Sequence, residues 1–238
     1  AAPGTYRTTV RVIPAHSPAL ILQLEVEVYP FKLTKPILEY SIYYPAWLES
    51  HHPDQSGRFG YLTNQQYVKE IKNMLAHGLS NPNIYGGIRT NPDGTFDFSN
   101  LQKILELRES AGMRPKHLYL VSSPIDFEHR ILTNQQKQVK SRKVELINAW
   151  ARQRGYEDIY YMARDEQWGE QLSLERDSMA AVRNGGGKVF TAVLNPNFFD
   201  RVGDLLNRPI LTSDIGPHIG QAGSGYGPDE ALRHMDEI

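Results

Sequence analysis

The stretch that decides the fold reads Tyr160-Tyr161-Met162-Ala163-Arg164-Asp165-Glu166-Gln167-Trp168. Its first half is aromatic and apolar, which is typical of a buried β-strand. Two consecutive carboxylates and an indole follow, just before an amphipathic segment at residues 170–184. The stretch therefore predicts a strand that ends in polar side chains and leads directly into a helix.

The same alternation of strand and helix continues on both sides of this stretch. Strands separated by helices form parallel sheets with right-handed crossovers, which predicts an α/β protein. The predicted strands lie at residues 38–44, 84–88, 117–123, 158–164, 188–194 and 209–212. The predicted helices lie at residues 64–77, 100–111, 134–154, 170–184 and 198–206.

Three helix starts carry a local signal. The pentapeptide Leu-Thr-Asn-Gln-Gln occurs at residues 62–66 and again at residues 132–136. In both copies a glutamine follows the threonine by three residues, as in a capping box, where the two side chains satisfy free backbone amides. Ser99 is also followed by a glutamine at this spacing. The pattern predicts helices capped by Thr63, Thr133 and Ser99.

Polar and aromatic residues cluster where the predicted strands end. They favour a (β/α) TIM-type barrel, because barrel enzymes carry their functional groups at the carboxyl ends of successive strands. No glycine-rich phosphate turn follows the first strand, which argues against a dinucleotide-binding fold. The residues in question are Tyr43, Trp47, Arg89, Ser122, Ser123, Asp165, Glu166, Asn195 and Asn197.

The chain is predicted to contain three regions. Residues 1–36 form a β-hairpin whose second strand alternates apolar and polar residues, and this element is expected to be the end of a β-sandwich. Residues 37–212 form the barrel, and residues 213–238 form a glycine-rich tail. Only five or six βα units are predicted where a full barrel has eight. The barrel is therefore expected to be incomplete, or to be completed by a partner chain or a missing segment.

Composition narrows the classes of function. The 238 residues include 26 basic and 27 acidic side chains, so the balanced charge predicts no nucleic-acid partner and no anionic membrane partner. No apolar run reaches the roughly 18–20 residues that a membrane helix needs. The absence of cysteine excludes disulfides and thiol catalysis. Because the chain begins with Ala1 instead of methionine, we expect a processed or excised product. An extracellular or periplasmic location is expected, with a cytoplasmic one as the alternative.

Asp165 and Glu166 are the candidate catalytic residues. Cleavage of a glycosidic bond needs a proton donor and a second carboxylate, and mutual repulsion raises the pKa of one member of such a pair. Adjacent residues on a regular strand point to opposite sides, so the two carboxylates converge only if the backbone turns at the strand end. The alternative is that both acids merely stabilise a helix N-terminus, where the helix dipole favours negative charge.

Several neighbours are candidate substrate-binding residues. Trp47, Trp168 and Tyr43 are predicted to stack against sugar rings, with core packing as the alternative. Arg164 and Asn195 are predicted to hydrogen-bond substrate, although such an arginine often pairs within the protein.

No metal or cofactor is predicted. The adjacent residues His51 and His52 diverge and have no spaced partner, and His129 is assigned to a solvated loop in the same way. A metal-dependent hydrolase is therefore disfavoured.

The region around the acid pair resembles the barrel of glycoside hydrolase family 123-like proteins. The resemblance spans residues 5–210 in outline and residues 158–206 in detail, and it includes an N-terminal β-sandwich leading into a barrel. One departure is Gln167, where such proteins commonly have proline. The similar segments are residues 161–167, Glu175-Arg176, residues 184–190 and residues 199–206.

The resemblance implies a retaining N-acetylhexosaminidase-like mechanism that is assisted by the acetamido group of the substrate. It implies that Glu166 is the general acid/base and that Asp165 orients the 2-acetamido group. A carbohydrate partner, either an oligosaccharide or a polysaccharide, follows from the same resemblance. The alternative is a non-catalytic carbohydrate-binding or structural protein on the same fold.

Overall fold

The computed structural model describes residues 1–32, 38–167, 169–193 and 198–211, and the chain divides into two units, Ala1–Leu38 and Glu39–Ile238. The first unit contains an antiparallel hairpin of β1 (Gly4–Val12) and β2 (Leu20–Val28). Val10 pairs with Leu22 in this hairpin. The hairpin prediction is confirmed, while the larger β-sandwich stays a prediction because the described residues of this unit form only two strands.

The second unit is built around a five-stranded parallel sheet with the strand order β11-β10-β9-β8-β5. A parallel pair, β3 and β4, and an antiparallel pair, β6 and β7, accompany it. The strands are β3 (Trp47–Leu48), β4 (Tyr61–Leu62), β5 (Ile84–Tyr85), β6 (Arg89–Thr90), β7 (Phe96–Asp97), β8 (His117–Val121), β9 (Asp158–Met162), β10 (Lys188–Val193) and β11 (Arg208–Leu211).

Four α-helices alternate with these strands, and none of the described helices is long and apolar enough to cross a membrane. The connections also include two short 3₁₀ helices and a π-helical turn where the last predicted helix was expected. The helices are α1 (Asn64–Ala76), α2 (Ser99–Ser110), α3 (Asn134–Arg152) and α4 (Glu170–Asn184), and the shorter elements are Glu49–His51, Pro53–Gln55 and Phe199–Gly203.

The helix starts follow the sequence signals at two of three positions. Thr63 and Thr133 each cap a helix in a complete capping box, as predicted. The third prediction is wrong, since Ser99 is already the first residue of α2. Phe98 occupies the N-cap position without a side-chain cap, and the carboxylate of Asp97 accepts a hydrogen bond from the Ser99 amide at 2.9 Å.

The two faces of the parallel sheet are covered differently. Alternate strand residues such as Leu118 and Tyr161 join the apolar stripes of all four helices in one large core. The residues between them form a smaller cluster of Tyr119, Val121, Tyr160 and Phe190, packed by Tyr85, Met162 and Ile210. No helical residue belongs to this second cluster. In the part of the chain that the structure describes, the helices therefore pack on a single face of the sheet.

A cavity of about 450 Å³ lies beside residues of the smaller cluster, such as Tyr119 and Phe190. It is also lined by residues 39–43, which lie outside the strands of the sheet, and by residues 208–210 of the edge strand β11. The predicted first strand, residues 38–44, is irregular, but its Tyr40 and Ile42 carbonyls accept hydrogen bonds from the residues that precede β5. The α/β class is thus observed. Within the described ranges no ladder closes the sheet, and the barrel stays a prediction.

Candidate functional site

The acid pair lies where the ladder between β9 and β10 is interrupted. Met162 pairs with Phe190, and the two chains meet again at a bridge between Gln167 and Val193. Residues 163–166 therefore lie opposite residues 191–192, so β9 carries two extra residues over this span. We call residues 163–166 the extruded loop. Bulges of this kind are frequent beside active sites, where they redirect side chains.

Buried side chains hold the extruded loop from both sides. The Thr191 hydroxyl donates to the Arg164 carbonyl at 2.7 Å, and the Arg164 amide donates to the Glu175 carboxylate at 3.4 Å. The Ala163 amide keeps a bond to the Phe190 carbonyl at 3.0 Å. Side-chain bonds to the Arg164 peptide thus replace ladder bonds immediately before the acid pair.

The backbone turns sharply at Glu166. Its φ of 54° lies in the left-handed region, which few residues other than glycine, asparagine and aspartate adopt. Such a conformation costs on the order of 1 kcal/mol and persists only where the surroundings impose it. A turn at the strand end is the condition that adjacent carboxylates need to face one site.

The two carboxylates are exposed and carry uncompensated charge. Neither Asp165 nor Glu166 forms an ion pair with any described residue. Partial burial raises the pKa of Asp165, the negative charge of Glu166 raises it further, and the Glu166 amide opposes both effects. The resemblance assigns the general acid role to Glu166, while the neighbouring Asp165 is the residue whose pKa is raised.

Two tyrosines lie within electrostatic range of the acid pair. Burial and then the charge of Asp165 raise the pKa of Tyr43 to about 12, with smaller contributions from Tyr85 and Glu166. Burial and the Asp165 charge also raise the pKa of Tyr85. Both phenols therefore remain protonated at neutral pH and can donate hydrogen bonds to a ligand beside the carboxylates.

Trp47 extends the aromatic surface away from the acid pair. Its ring meets Tyr85 edge-on at 5.9 Å and stacks on Tyr61 at 5.5 Å. Gly60 adopts a positive φ, and a Cβ atom there would lie 3.1 Å from the indole. We call Tyr43, Trp47, Tyr61 and Tyr85 the aromatic wall. Sequence reasoning missed Tyr61 and Tyr85, although each adjoins a glycine of positive φ.

The other predicted site residues have different surroundings. The Arg164 Nε donates to the Phe127 carbonyl at 2.8 Å, so its guanidinium already has a partner within the protein. Trp168 and Asn195 lie outside the described residues. The strand predicted at residues 84–88 is shorter than expected, because β5 ends at Tyr85. Arg89 therefore does not follow a strand of the parallel sheet and belongs to the β6–β7 hairpin. Of the predicted residues, the structure brings together Tyr43, Asp165 and Glu166, with Trp47 joined to them through Tyr85.

A buried acid lies behind the extruded loop. Glu175 on α4 is 0% exposed, and its Oε1 lies 2.5 Å from His129 Nε2. Burial raises the pKa of Glu175 to about 7, and the Arg164 amide and charge oppose this shift. Burial also lowers the pKa of His129. His129 lies in a loop, as predicted, but its side chain is only 24% exposed and contacts a buried acid, so the expected solvation is corrected. The available signal was Glu175 itself, an acid on the apolar stripe of α4 that includes Leu172 and Met179.

The described residues contain no cluster of three or more acids and histidines that could hold a metal ion. The adjacent pair His51 and His52 contacts other groups: the His51 ring meets the Ser50 hydroxyl at 3.1 Å, and the His52 ring meets Tyr61 edge-on at 5.5 Å.

No model of a known protein family and no curated protein matches this chain.

Proposed function

We propose that the protein is a retaining glycoside hydrolase that cleaves glycosides of a 2-acetamido sugar with the help of the substrate's acetamido group. The observation that carries this proposal is the extruded loop. It presents two adjacent carboxylates, turned by a left-handed Glu166, beside the aromatic wall. A backbone strained in this way at exposed acids favours chemistry over simple stabilisation of a helix end.

The proposed architecture is an incomplete (β/α) TIM-type barrel. Doubly wound sheets carry helices on both faces, whereas barrels carry them on the outside only. Helices on one face of the sheet, and a cavity lined by residues of the opposite face together with residues 39–43 and 208–210, support the barrel. The acid pair would then lie at the carboxyl ends of the strands, where barrel enzymes place their active sites.

Each member of the acid pair has a distinct proposed role. Glu166 protonates the glycosidic oxygen as the bond to the anomeric carbon breaks. The acetamido carbonyl oxygen attacks that carbon and forms a cyclic oxazolinium intermediate. Asp165 accepts a hydrogen bond from the acetamido N–H and stabilises its developing positive charge. Glu166 then takes a proton from the water that opens the ring, which regenerates the starting state with retained configuration.

The aromatic wall is the proposed sugar platform. Stacking of a sugar ring on Trp47 contributes on the order of 1 kcal/mol, and the Tyr43 and Tyr85 hydroxyls donate to sugar oxygens. Arg164, Trp168 and Asn195 remain proposed substrate-binding residues. The proposed partner is an oligosaccharide or polysaccharide, the reaction needs no cofactor, and an extracellular or periplasmic location is proposed.

Hydrolysis of aryl N-acetylhexosaminides tests the reaction. Glu166→Gln should abolish release of the aryl alcohol while the affinity for the sugar, measured by calorimetry, is retained. Glu170→Gln is the matched control, because Glu170 is 85% exposed and pairs only with Arg201 among the described residues. Equal turnover by the wild type and Glu166→Gln would remove the assignment.

A non-catalytic carbohydrate-binding protein is the second candidate. The exposure of both acids beside an intact aromatic wall favours it, because catalytic pairs usually work in a site that excludes water. Glycan arrays would then show retention that depends on Trp47 or Trp168, and no product would be released.

A further inference from the structure

The backbone of Arg164 directly precedes the acid pair, and two buried side chains bind its amide and its carbonyl. Thr191 on β10 contacts its carbonyl, and Glu175 on α4 contacts its amide. Both side chains are 0% exposed. The Arg164 peptide is thus held by elements that are separate from the loop itself.

Thr191 has a hydroxyl where packing alone needs only a small apolar side chain. The other buried residues of β10 are apolar, namely Val189, Phe190, Ala192 and Val193. A buried hydroxyl costs about 1–3 kcal/mol unless it forms a hydrogen bond. The Thr191 hydroxyl meets this requirement through the Arg164 carbonyl at 2.7 Å. The hydrogen bond to the extruded loop therefore accounts for a hydroxyl at this position, whereas core packing does not require one.

The Glu175 carboxylate is held at both of its oxygens. Oε1 contacts His129 Nε2 at 2.5 Å, and Oε2 accepts from the Arg164 amide at 3.4 Å. His129 comes from the connection after β8, so three separate parts of the chain meet at this carboxylate. The orientation of the Arg164 amide is thereby tied to the helix layer.

We propose that Thr191 and Glu175 are positioning residues. By binding the backbone carbonyl and amide of Arg164, they fix the orientation of Asp165 and Glu166. The catalytic part of this inference rests on the proposed glycosidase function. Residues 163–166 have left the regular ladder, so these side-chain bonds supply the constraint that the ladder no longer provides. A displacement of about 1 Å in a catalytic group is sufficient to lower a rate by roughly 100-fold.

A matched set of variants tests the role of Thr191. Thr191→Val keeps the shape and removes the hydroxyl, whereas Thr191→Ser keeps the hydroxyl. We expect Thr191→Val to lower kcat about 10-fold with KM within about 2-fold, and Thr191→Ser to stay within about 2-fold of the wild type. Ser141→Ala is the control, because the Ser141 hydroxyl donates to the Ala181 carbonyl at 2.8 Å between α3 and α4. It should lower Tm to a similar extent without lowering kcat.

Glu175 is tested in the same way. Glu175→Gln keeps an oxygen that can accept from the Arg164 amide, and we expect it to retain most of kcat. Glu175→Leu removes that acceptor and should lower kcat by about 10-fold or more. If Glu175→Leu does not fold, Glu175→Gln and the Thr191 series still decide the question.

A second readout separates this inference from the proposed function. The side-chain carboxyl resonances of Asp165 and Glu166, measured by NMR, should shift in Thr191→Val and stay unchanged in Ser141→Ala. If the wild type hydrolyses no glycoside, the proposed function fails, and shifted resonances still support the positioning role. Unchanged resonances in Thr191→Val, or an unchanged kcat in an active enzyme, would overturn the inference.

Discussion

The two ends of β9 each carry an aspartate, and the two aspartates have opposite surroundings. At the amino end, Asp158 contacts Lys188 Nζ at 2.9 Å and His117 Nδ1 at 3.3 Å. Beyond the carboxyl end, Asp165 pairs with no cation among the described residues, and its neighbour is another acid. The charge of Asp158 is compensated, as in a structural residue, whereas the charge of Asp165 is not, which agrees with its proposed role in binding a ligand.

The backbone shows the same contrast. Around Asp158 the ladder is regular. Asp158 pairs with His117 on β8, and Tyr160 pairs with Lys188 on β10. Around Asp165 the ladder is interrupted, and Glu166 is left-handed. Barrel folds commonly place stability at the amino ends of the strands and function at the carboxyl ends. The two aspartates have the same side chain, and they differ in the regularity of the backbone around them, including the left-handed Glu166 next to Asp165.

Between the two aspartates, the largest effect is expected from removing the charge of Asp165. Asp165→Asn should lower the hydrolysis of aryl N-acetylhexosaminides by about 100- to 1,000-fold, because the acetamido group loses its anionic partner in the transition state. Its Tm should be unchanged or slightly higher, since repulsion with Glu166 disappears. Asp158→Asn is the control and should stay within about 2-fold of wild-type activity. Equal losses of activity in both variants would contradict the distinction between a structural Asp158 and a functional Asp165.

A second prediction concerns pH and the buried acid behind the carboxyl end. The pKa of Glu175 is raised to about 7 by burial, above its value in the unfolded chain. The stability associated with its protonated form is therefore complete below about pH 4.5 and is lost as pH rises through about 7.

Chemical denaturation at pH 5 and pH 8 measures this effect. The wild type should lose at most about 3 kcal/mol of unfolding free energy from this group between the two pH values, and Glu175→Gln should lack that loss. His129 and Arg164 face the same carboxylate, so His129→Gln serves as a second variant. An identical pH dependence in wild type and Glu175→Gln would show that Glu175 does not titrate in this range.

Substitution of Asp158, at the amino end of β9, should lower stability without lowering activity. Asp158→Asn removes the partner of Lys188 and His117, both of which are only partly exposed. We expect a loss of about 1 kcal/mol in the free energy of unfolding, measured by urea titration. Asp165→Asn measured alongside should show no such loss. A larger loss in Asp165→Asn would reverse the assignment of stability and function to the two ends.

The smallest effect on the free energy of unfolding is expected from relieving the backbone strain at Glu166. Asparagine tolerates the left-handed region better than glutamate, so Glu166→Asn should stabilise the protein by about 0.5–1 kcal/mol while abolishing hydrolysis. Glu166→Gln removes the charge but keeps the strain, and the difference in Tm between the two variants isolates the backbone contribution. Equal Tm values would mean that the left-handed turn costs little.

Features governed by neighbours in the chain could be predicted from the sequence. Thr63 and Thr133 start their helices because a capping box needs only a glutamine three residues later. The hairpin follows from the alternation of apolar and polar residues, and the parallel strands follow from the alternation of strands and helices along the chain. The prediction for Ser99 failed because α2 begins one residue earlier than the capping-box spacing implies, and the Ser99 amide is bound by the Asp97 carboxylate, which that spacing does not consider.

Features of the site that were missed depend on residues far apart in the sequence. The Thr191 hydroxyl reaches a carbonyl 27 positions away, and His129 meets a carboxylate 46 positions away. Such contacts form only when strands and helices pack, so no local pattern announces them. The buried position of Glu175 was visible as an acid on an apolar stripe, but its partners were not.

The sequence by itself determined that Asp165 and Glu166 follow a buried strand and precede a helix, because strand and helix periodicity are local properties. Only the tertiary structure decided that the backbone turns at Glu166 and that the pKa of Asp165 is raised. The turn follows from a mismatch in length between β9 and β10, which requires both strands to be in place. The pKa follows from burial by other parts of the chain and from the proximity of a second charge, both of which arise only on folding.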